Sequence, residues 1–217
     1  MKILIFTPVK NLYLNSLVAM HQFDVEDPLF GGEFELTWMQ YRHNLSADGR
    51  VNVVNAYNFA RDVMLAGTWD ALMTVENDIV PPKHALTNLV ETNAAVAYGL
   101  YCYRGAGHTW NAARGGKHLS ASRELAREHW GYVVEVEGYG LGCALIRRHV
   151  LECLKLNIND DDDLHCDSNF ARDLTAAGYR QVCDLGVRCG HIVNHHRIVW
   201  PDIEQEKLFR YTFGEQK

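Results

Sequence analysis

The segment Trp69-Asp70-Ala71-Leu72-Met73-Thr74-Val75-Glu76-Asn77-Asp78-Ile79-Val80-Pro81-Pro82 constrains the fold more than any other. Its apolar run has the length of one buried strand. It stops at two carboxylates, Glu76 and Asp78, with two prolines behind them. In an open α/β sheet, ligands sit beyond the carboxyl ends of the strands, so these acids fall where chemistry is usually done. In extended or turning backbone, residues two apart point roughly the same way, so both carboxylates can face one divalent cation. Asp and Glu also simply terminate strands, and that plainer reading stands beside the first.

The rest of the chain repeats the alternation of strand and helix. Lys2 to Val9 reads as an opening strand closed by Thr7-Pro8, Asn11 to Met20 as a short helix, and Glu33 to Tyr41 as a second strand. A helix over Asn52 to Ala66 carries Val51, Val54, Phe59 and Val63 near one face and ends at Gly67. The strand Asp70 to Val75 follows, then a helix from about Pro82 to Thr92 and a buried strand over Ala94 to Cys102. This order predicts a largely parallel α/β sheet. Further on come strand character over Tyr132 to Glu137, the glycine turn Gly138-Tyr139-Gly140-Leu141-Gly142-Cys143, and a helix over Arg148 to Leu156. Asp167 to Ala177 reads as a helix, Arg180 to Val187 as a strand leading towards His191, and the tail from Trp200 as a final helix. No repeat, linker or low-complexity segment divides residues 1–217, which predicts a single domain.

Composition narrows the function classes. With 47% hydrophobic and 22% charged residues, the 217-residue chain has an ordinary soluble composition, and no run approaches the length of a membrane span. A net charge of −6 argues against a nucleic-acid partner, which calls for a basic face. The six cysteines form no C-x-x-C, which predicts reduced, buried thiols in a cytoplasmic protein. Cys183, Cys189, His191, His195 and His196 match no common structural zinc spacing. The acidic run Asp160 to Asp163 lacks the alternation and glycine of a calcium loop and reads as a solvated turn. The stretch after Tyr103 is rich in glycine and carries Arg104, Arg114, Lys117 and His118. It reads as a mobile basic loop, either a lid or a solvated segment. Within it, Trp110 is either a face for a sugar ring or an anchor for the loop.

Four of these segments, in order, resemble the glycosyltransferases of the GT-A fold, the Rossmann-like group that uses nucleotide-sugar donors. They are the strand ending in Thr7-Pro8, the helix Asn58-Phe59-Ala60-Arg61-Asp62, the acidic Glu76-Asn77-Asp78 in place of the family's D-x-D motif, and the glycine turn. Asp167-Ser168-Asn169-Phe170, Gly178-Tyr179 and Gly190-His191 follow. The chain departs from the pattern in having Glu76 as first acid and Cys166 before Asp167, where the family carries an E-D pair.

The resemblance implies a metal-dependent transfer of a sugar from a nucleoside-diphosphate-sugar to an unidentified glycosyl acceptor. Thr7, Pro8, Arg61, Glu76 and Asn77 would meet the donor nucleotide, and Gly140, Leu141, Gly142 and Trp110 the sugars. Asp78, His191 and Glu76 would hold Mn2+ or Mg2+, with the mixed carboxylate-imidazole set better suited to Mn2+. Asp167 would take the acceptor's proton, although it also sits where a helix N-cap belongs. Arg61 has a structural alternative in pairing with Asp62, and His191 in bonding a backbone carbonyl. Two rival functions remain: a sugar-phosphate nucleotidyltransferase, and a non-catalytic nucleotide- or carbohydrate-binding module of the same fold.

Overall fold

The computed structural model describes residues 1–9, 13–27, 29, 31–105, 107–137, 140–158, 166–194 and 197–213. The first part comprises β1 (Lys2–Pro8), α1 (Leu14–Met20), the short β2 (Glu26–Asp27) and β3 (Gly32–Glu33), and β4 (Glu35–Tyr41). Next come α2 (Gly49–Ala66), β5 (Ala71–Val75), β6 (Ile79–Val80), α3 (Ala85–Glu91) and β7 (Val96–Leu100). A hairpin of β8 (Ala113–Arg114) and β9 (Lys117–His118) leads through a 3-10 turn to α4 (Arg123–His129), β10 (Val133–Glu135), β11 (Cys143–Arg147) and α5 (Arg148–Cys153). The last elements are α6 (Cys166–Ala176), β12 (Gln181–Arg188), β13 (Gly190–Asn194), β14 (Arg197–Pro201) and β15 (Phe209–Phe213).

Seven strands form the central sheet in the order β10-β12-β7-β11-β5-β1-β4. β4, β1 and β5 are parallel neighbours, as are β7 and β12. β11 runs antiparallel between β5 and β7, and β10 antiparallel to β12. The sheet is therefore mixed, with five of its seven strands running in one direction, as expected, and only β10 and β11 reversed. The reason is local: the chain enters β11 from the carboxyl edge, where the Glu76 N–H donates to the Gly142 carbonyl at 2.9 Å, so it must run back down the sheet.

Helices cover both faces. Side chains alternate across a strand, so β1 sends Leu4 and Phe6 to one core, with Tyr57, Met64, Tyr98, Trp110 and Phe170. It sends Ile3 and Ile5 to the other, with Met73, Leu86, Leu89 and Leu145. All five residues of β5 and of β7 are buried, which explains their largely apolar sequence; the one hydroxyl of β5, on Thr74, donates to the Leu141 carbonyl at 2.6 Å. α2 buries Ala56, Tyr57, Ala60 and Met64; of the expected stripe, Val54 and Val63 pack partly buried against this core, while Phe59 is 44% exposed. Two alanines on this face let the helix approach the sheet closely. Asp48 caps its start by accepting the Arg50 N–H. Arg148 closes its end, donating to the carbonyls of Met64, Leu65, Gly67 and Trp69 at 2.9–3.2 Å.

The expected helix after Trp200 does not form. β14 and β15 pair antiparallel in a second sheet, ordered β15-β14-β13-β6. Phe209, Tyr211 and Phe213 alternate with Arg210 and Thr212, the period of a strand rather than a helix. Among the described residues no helix is long and apolar enough to cross a membrane.

Candidate functional site

Two backbone features bring the principal polar groups together. First, the chain turns immediately after β5: the Ile79 N–H donates to the Glu76 carbonyl at 3.0 Å, and the Ser16 hydroxyl donates to the same oxygen at 3.2 Å. Second, β6 pairs antiparallel with β13, setting His191 opposite Ile79, and the Ile192 N–H donates to the Asp78 carbonyl at 2.8 Å. This register carries the His191 imidazole to the Asp78 carboxylate, with Nε2 3.7 Å from Oδ2. Both residues are almost wholly buried.

The imidazole is oriented by the backbone. Nδ1 lies 2.6 Å from the Cys102 carbonyl, which can only accept, so Nδ1 carries the hydrogen and Nε2 presents a lone pair. Burial, with the nearby Arg104 charge as a lesser cause, pushes the His191 pKa down to about 4, so the ring is neutral at physiological pH. The Arg104 guanidinium closes the group. Its Nη2 contacts Asp78 Oδ2, and its Nε donates to His191 Nε2 at 2.8 Å. Asp78 Oδ1, also buried, has no hydrogen-bond partner among the described residues.

Glu76 meets a different partner. Its Oε1 accepts from the Tyr57 hydroxyl at 3.2 Å. Burial first, and repulsion from the nearby Asp167 second, raise its pKa from 4.5 to about 7. Among the described residues the expected three-point grip by Glu76, Asp78 and His191 is not formed; the Glu76 carboxylate is engaged by Tyr57 instead. Among the described residues no three His, Cys, Asp or Glu side chains gather as a metal site. What is formed is a pair, Asp78 and His191.

A cavity of about 790 Å³ opens beside them. Pro8 at the end of β1, Val9 beyond it, Tyr41 at the end of β4, and Glu76, Asn77 and Asp78 after β5 line it. The first turn of α2, Leu141, Arg104, and Cys166 and Asp167 at the start of α6 line it as well. It lies at the carboxyl edge of three parallel strands and has the size of a small-molecule site.

Of the predicted site residues, Pro8, Glu76, Asn77, Asp78, Leu141 and Asp167 line this cavity, and His191 abuts Asp78. Others do not. Thr7 is buried, with its hydroxyl directed to the Met20 sulfur at 3.1 Å. Arg61 donates to the Leu154 carbonyl at 2.9 Å and to Asp62 at 3.0 Å, tying α2 to the chain after α5, and does not line the cavity. Trp110 is 0% exposed; its indole N–H donates to the Leu208 carbonyl at 2.9 Å, and its ring packs 5.3 Å from that of Trp130. It is a core anchor, not a platform for a sugar.

Gly140 and Gly142 make room for Tyr101 rather than for a ligand. At Gly140, with φ +74°, a Cβ would collide with the Tyr101 hydroxyl; at Gly142 it would lie 3.0 Å from Tyr101 Cζ and 3.1 Å from Ile79 Cγ1. Asp167 is not the N-cap: α6 begins at Cys166, so Asp167 lies in the first turn, where its Oδ1 accepts the Ser168 N–H at 2.8 Å. The basic loop is pinned. The Gly115 and Gly116 N–H groups donate to the Glu137 carboxylate at 3.0 and 3.1 Å, and His118 bonds the Trp110 carbonyl at 2.9 Å. Of its four basic residues only Arg104 borders the cavity. Gly138, Tyr139, the acidic run Asp160–Asp163, His195 and His196 lie outside the described residues.

Sequence reasoning missed Tyr57, which holds Glu76, and Tyr41, the aromatic wall of the cavity. The signal for Tyr57 was its place between the small residues Ala56 and Ala60, the spacing of a close helix–sheet contact.

No protein-family model matches the chain, and no curated protein sequence matches it. Solved structures do. The fold is similar to that of A197 from STIV, at 17% identity and a TM-score of 0.64, over 100% of this chain and 96% of that one. It is also similar to that of GalNAc-T7, solved with UDP, GalNAc and Mn2+, at 9% identity and a TM-score of 0.53, over 88% of this chain and 44% of that one. The chain thus spans less than half of the GalNAc-T7 structure. At these identities the likeness is one of architecture: a mixed seven-stranded sheet flanked by helices, resembling the GT-A fold.

Proposed function

We propose that this protein is a glycosyltransferase that uses a nucleoside-diphosphate-sugar donor and a divalent cation, Mn2+ or Mg2+, held by Asp78 and His191. One observation carries the reading: a buried carboxylate with an unpartnered oxygen stands beside the lone pair of a neutral imidazole, at the wall of a ligand-sized cavity. An unpaired buried carboxylate oxygen is costly, and an oxygen-nitrogen donor set suits Mn2+. The carbonyl of Cys102, behind the imidazole, is the kind of support that fixes a metal-binding tautomer. When bound, the cation would neutralise charge gathering on the departing diphosphate. The likeness of the fold to GalNAc-T7, solved with UDP, GalNAc and Mn2+, supports the same reading.

Residues of the chain then divide the work. Pro8, Val9 and Tyr41 offer an apolar and aromatic surface to a nucleobase. Tyr57 holds the Glu76 carboxyl in the cavity lining, where its raised pKa lets it meet a donor group in the protonated, hydrogen-bond-donating form near neutral pH. Asp167, across the cavity, is assigned the acceptor's proton. Arg61, Trp110, Gly140 and Gly142 receive no role towards ligand. Residues 1–217 act as one domain in this reading, and the unpaired cysteines agree with a cytoplasmic setting.

The test is turnover. With Mn2+ and a panel of nucleotide sugars, the protein should release a nucleoside diphosphate from one donor, and Asp78→Asn should abolish the release. Donor binding without release across the panel would replace the enzyme with a binding module. Pyrophosphate formed from a nucleoside triphosphate and a sugar phosphate would replace it with a nucleotidyltransferase.

A further inference from the structure

We propose that Arg104 is an internal cation that holds the seat between Asp78 and His191 and is displaced from it when a divalent ion enters. The inference rests on the cation-site reading above and adds a competitor to it. One guanidinium engages both candidate ligands, with Nη2 on Asp78 Oδ2 and Nε on His191 Nε2 at 2.8 Å. A metal ion would need those same two lone pairs, so the two occupants exclude one another.

Three further features make the guanidinium a temporary occupant. It leaves the seat incompletely filled, since Asp78 Oδ1 stays buried and unpartnered beside it. It has somewhere to go, because the Arg104 side chain is 48% exposed and borders the cavity. Its backbone is anchored: the Tyr103 N–H donates to the Thr109 carbonyl at 2.8 Å and the His108 N–H to the Gly105 carbonyl at 3.2 Å. The side chain can therefore leave without the segment unfolding. The arrangement also answers a physical problem. Asp78 would be an isolated buried charge whenever the site lacked a cation, and such a charge is strongly destabilising. Arg104 neutralises it in that state, at the expense of metal affinity.

The decisive measurement is direct binding of Mn2+ alone, read from the loss of the free-ion signal in electron paramagnetic resonance, with no donor present. Arg104→Met should bind Mn2+ about tenfold more tightly than the native chain, the change expected on removing one partly exposed charged competitor. Arg104→Lys, which keeps the charge but loses the two-pronged contact, should fall between them and guards against misfolding of the methionine variant. Adding Asp78→Asn to Arg104→Met should erase the gain. If Arg104→Met and Arg104→Lys bind Mn2+ no more tightly than the native chain while Asp78→Asn still weakens it, Arg104 is no competitor and the cation site stands. If no variant shows Mn2+ binding that depends on Asp78, the inference and the cation-dependent reading both fall.

Discussion

Glu76→Gln should make the protein more stable above neutral pH and leave it unchanged in acid. In the folded protein the Glu76 pKa is raised from 4.5 to about 7, chiefly by burial and then by Asp167. Between those values the native state keeps a proton that the unfolded chain has released. Stability is therefore greatest below about pH 4.5 and declines as pH rises through about 7. At roughly 1.4 kcal/mol per pKa unit, the full gap corresponds to about 3 kcal/mol. Glu76 retains some exposure towards the cavity, and screening by water there reduces the figure to about 1–2 kcal/mol. Glutamine has the shape of the protonated acid, can still accept from Tyr57, and never ionises, so the variant escapes the loss. Urea unfolding of both proteins with a chelator present, at about pH 4.5 and about pH 8, measures the difference. Equal stabilities in acid with a gap of about 1–2 kcal/mol in base are expected. A gap independent of pH, or a glutamine variant less stable in base, would refute the assignment of Glu76 as a buried carboxyl held against its charge. Asp167→Asn, by removing the second cause of the shift, should narrow the gap.

Two further substitutions test residues withdrawn from the site. Trp110→Ala should cost about 3–5 kcal/mol in chemical denaturation, the usual penalty for emptying an aromatic core position, with the protein that remains folded binding donor as before. Arg61→Met should cost about 1 kcal/mol through loss of the Leu154 carbonyl bond, and calorimetry with nucleoside diphosphates should show unchanged affinity.

What could be read from the chain alone follows from how local each signal is. The largely apolar runs of β1, β5 and β7 announce strands of an α/β sheet, and the alternation with α2 and α3 sets their parallel order. The antiparallel entry of β11 and the strand character of the tail were less legible, because both depend on partners distant in sequence. The site shows the same division. Glu76, Asp78 and Asp167 stand at element ends, and the cavity forms there. Their mutual geometry was not legible, since the partner each acid meets, Tyr57 for Glu76 and Arg104 and His191 for Asp78, is distant in sequence. Trp110 and Arg61 misled for a simpler reason: an aromatic or basic residue has the same letter whether it faces a ligand or a neighbouring carbonyl.

The pairing of β6 with β13 has a consequence for how this protein matures. Asp78 is synthesised early and His191 late, and only a strand register in the smaller sheet joins them. Any nascent or clipped chain lacking β13 possesses the carboxylate without its imidazole. In the cation-site reading proposed above, such a chain would keep one of the two proposed ligands and lose the other.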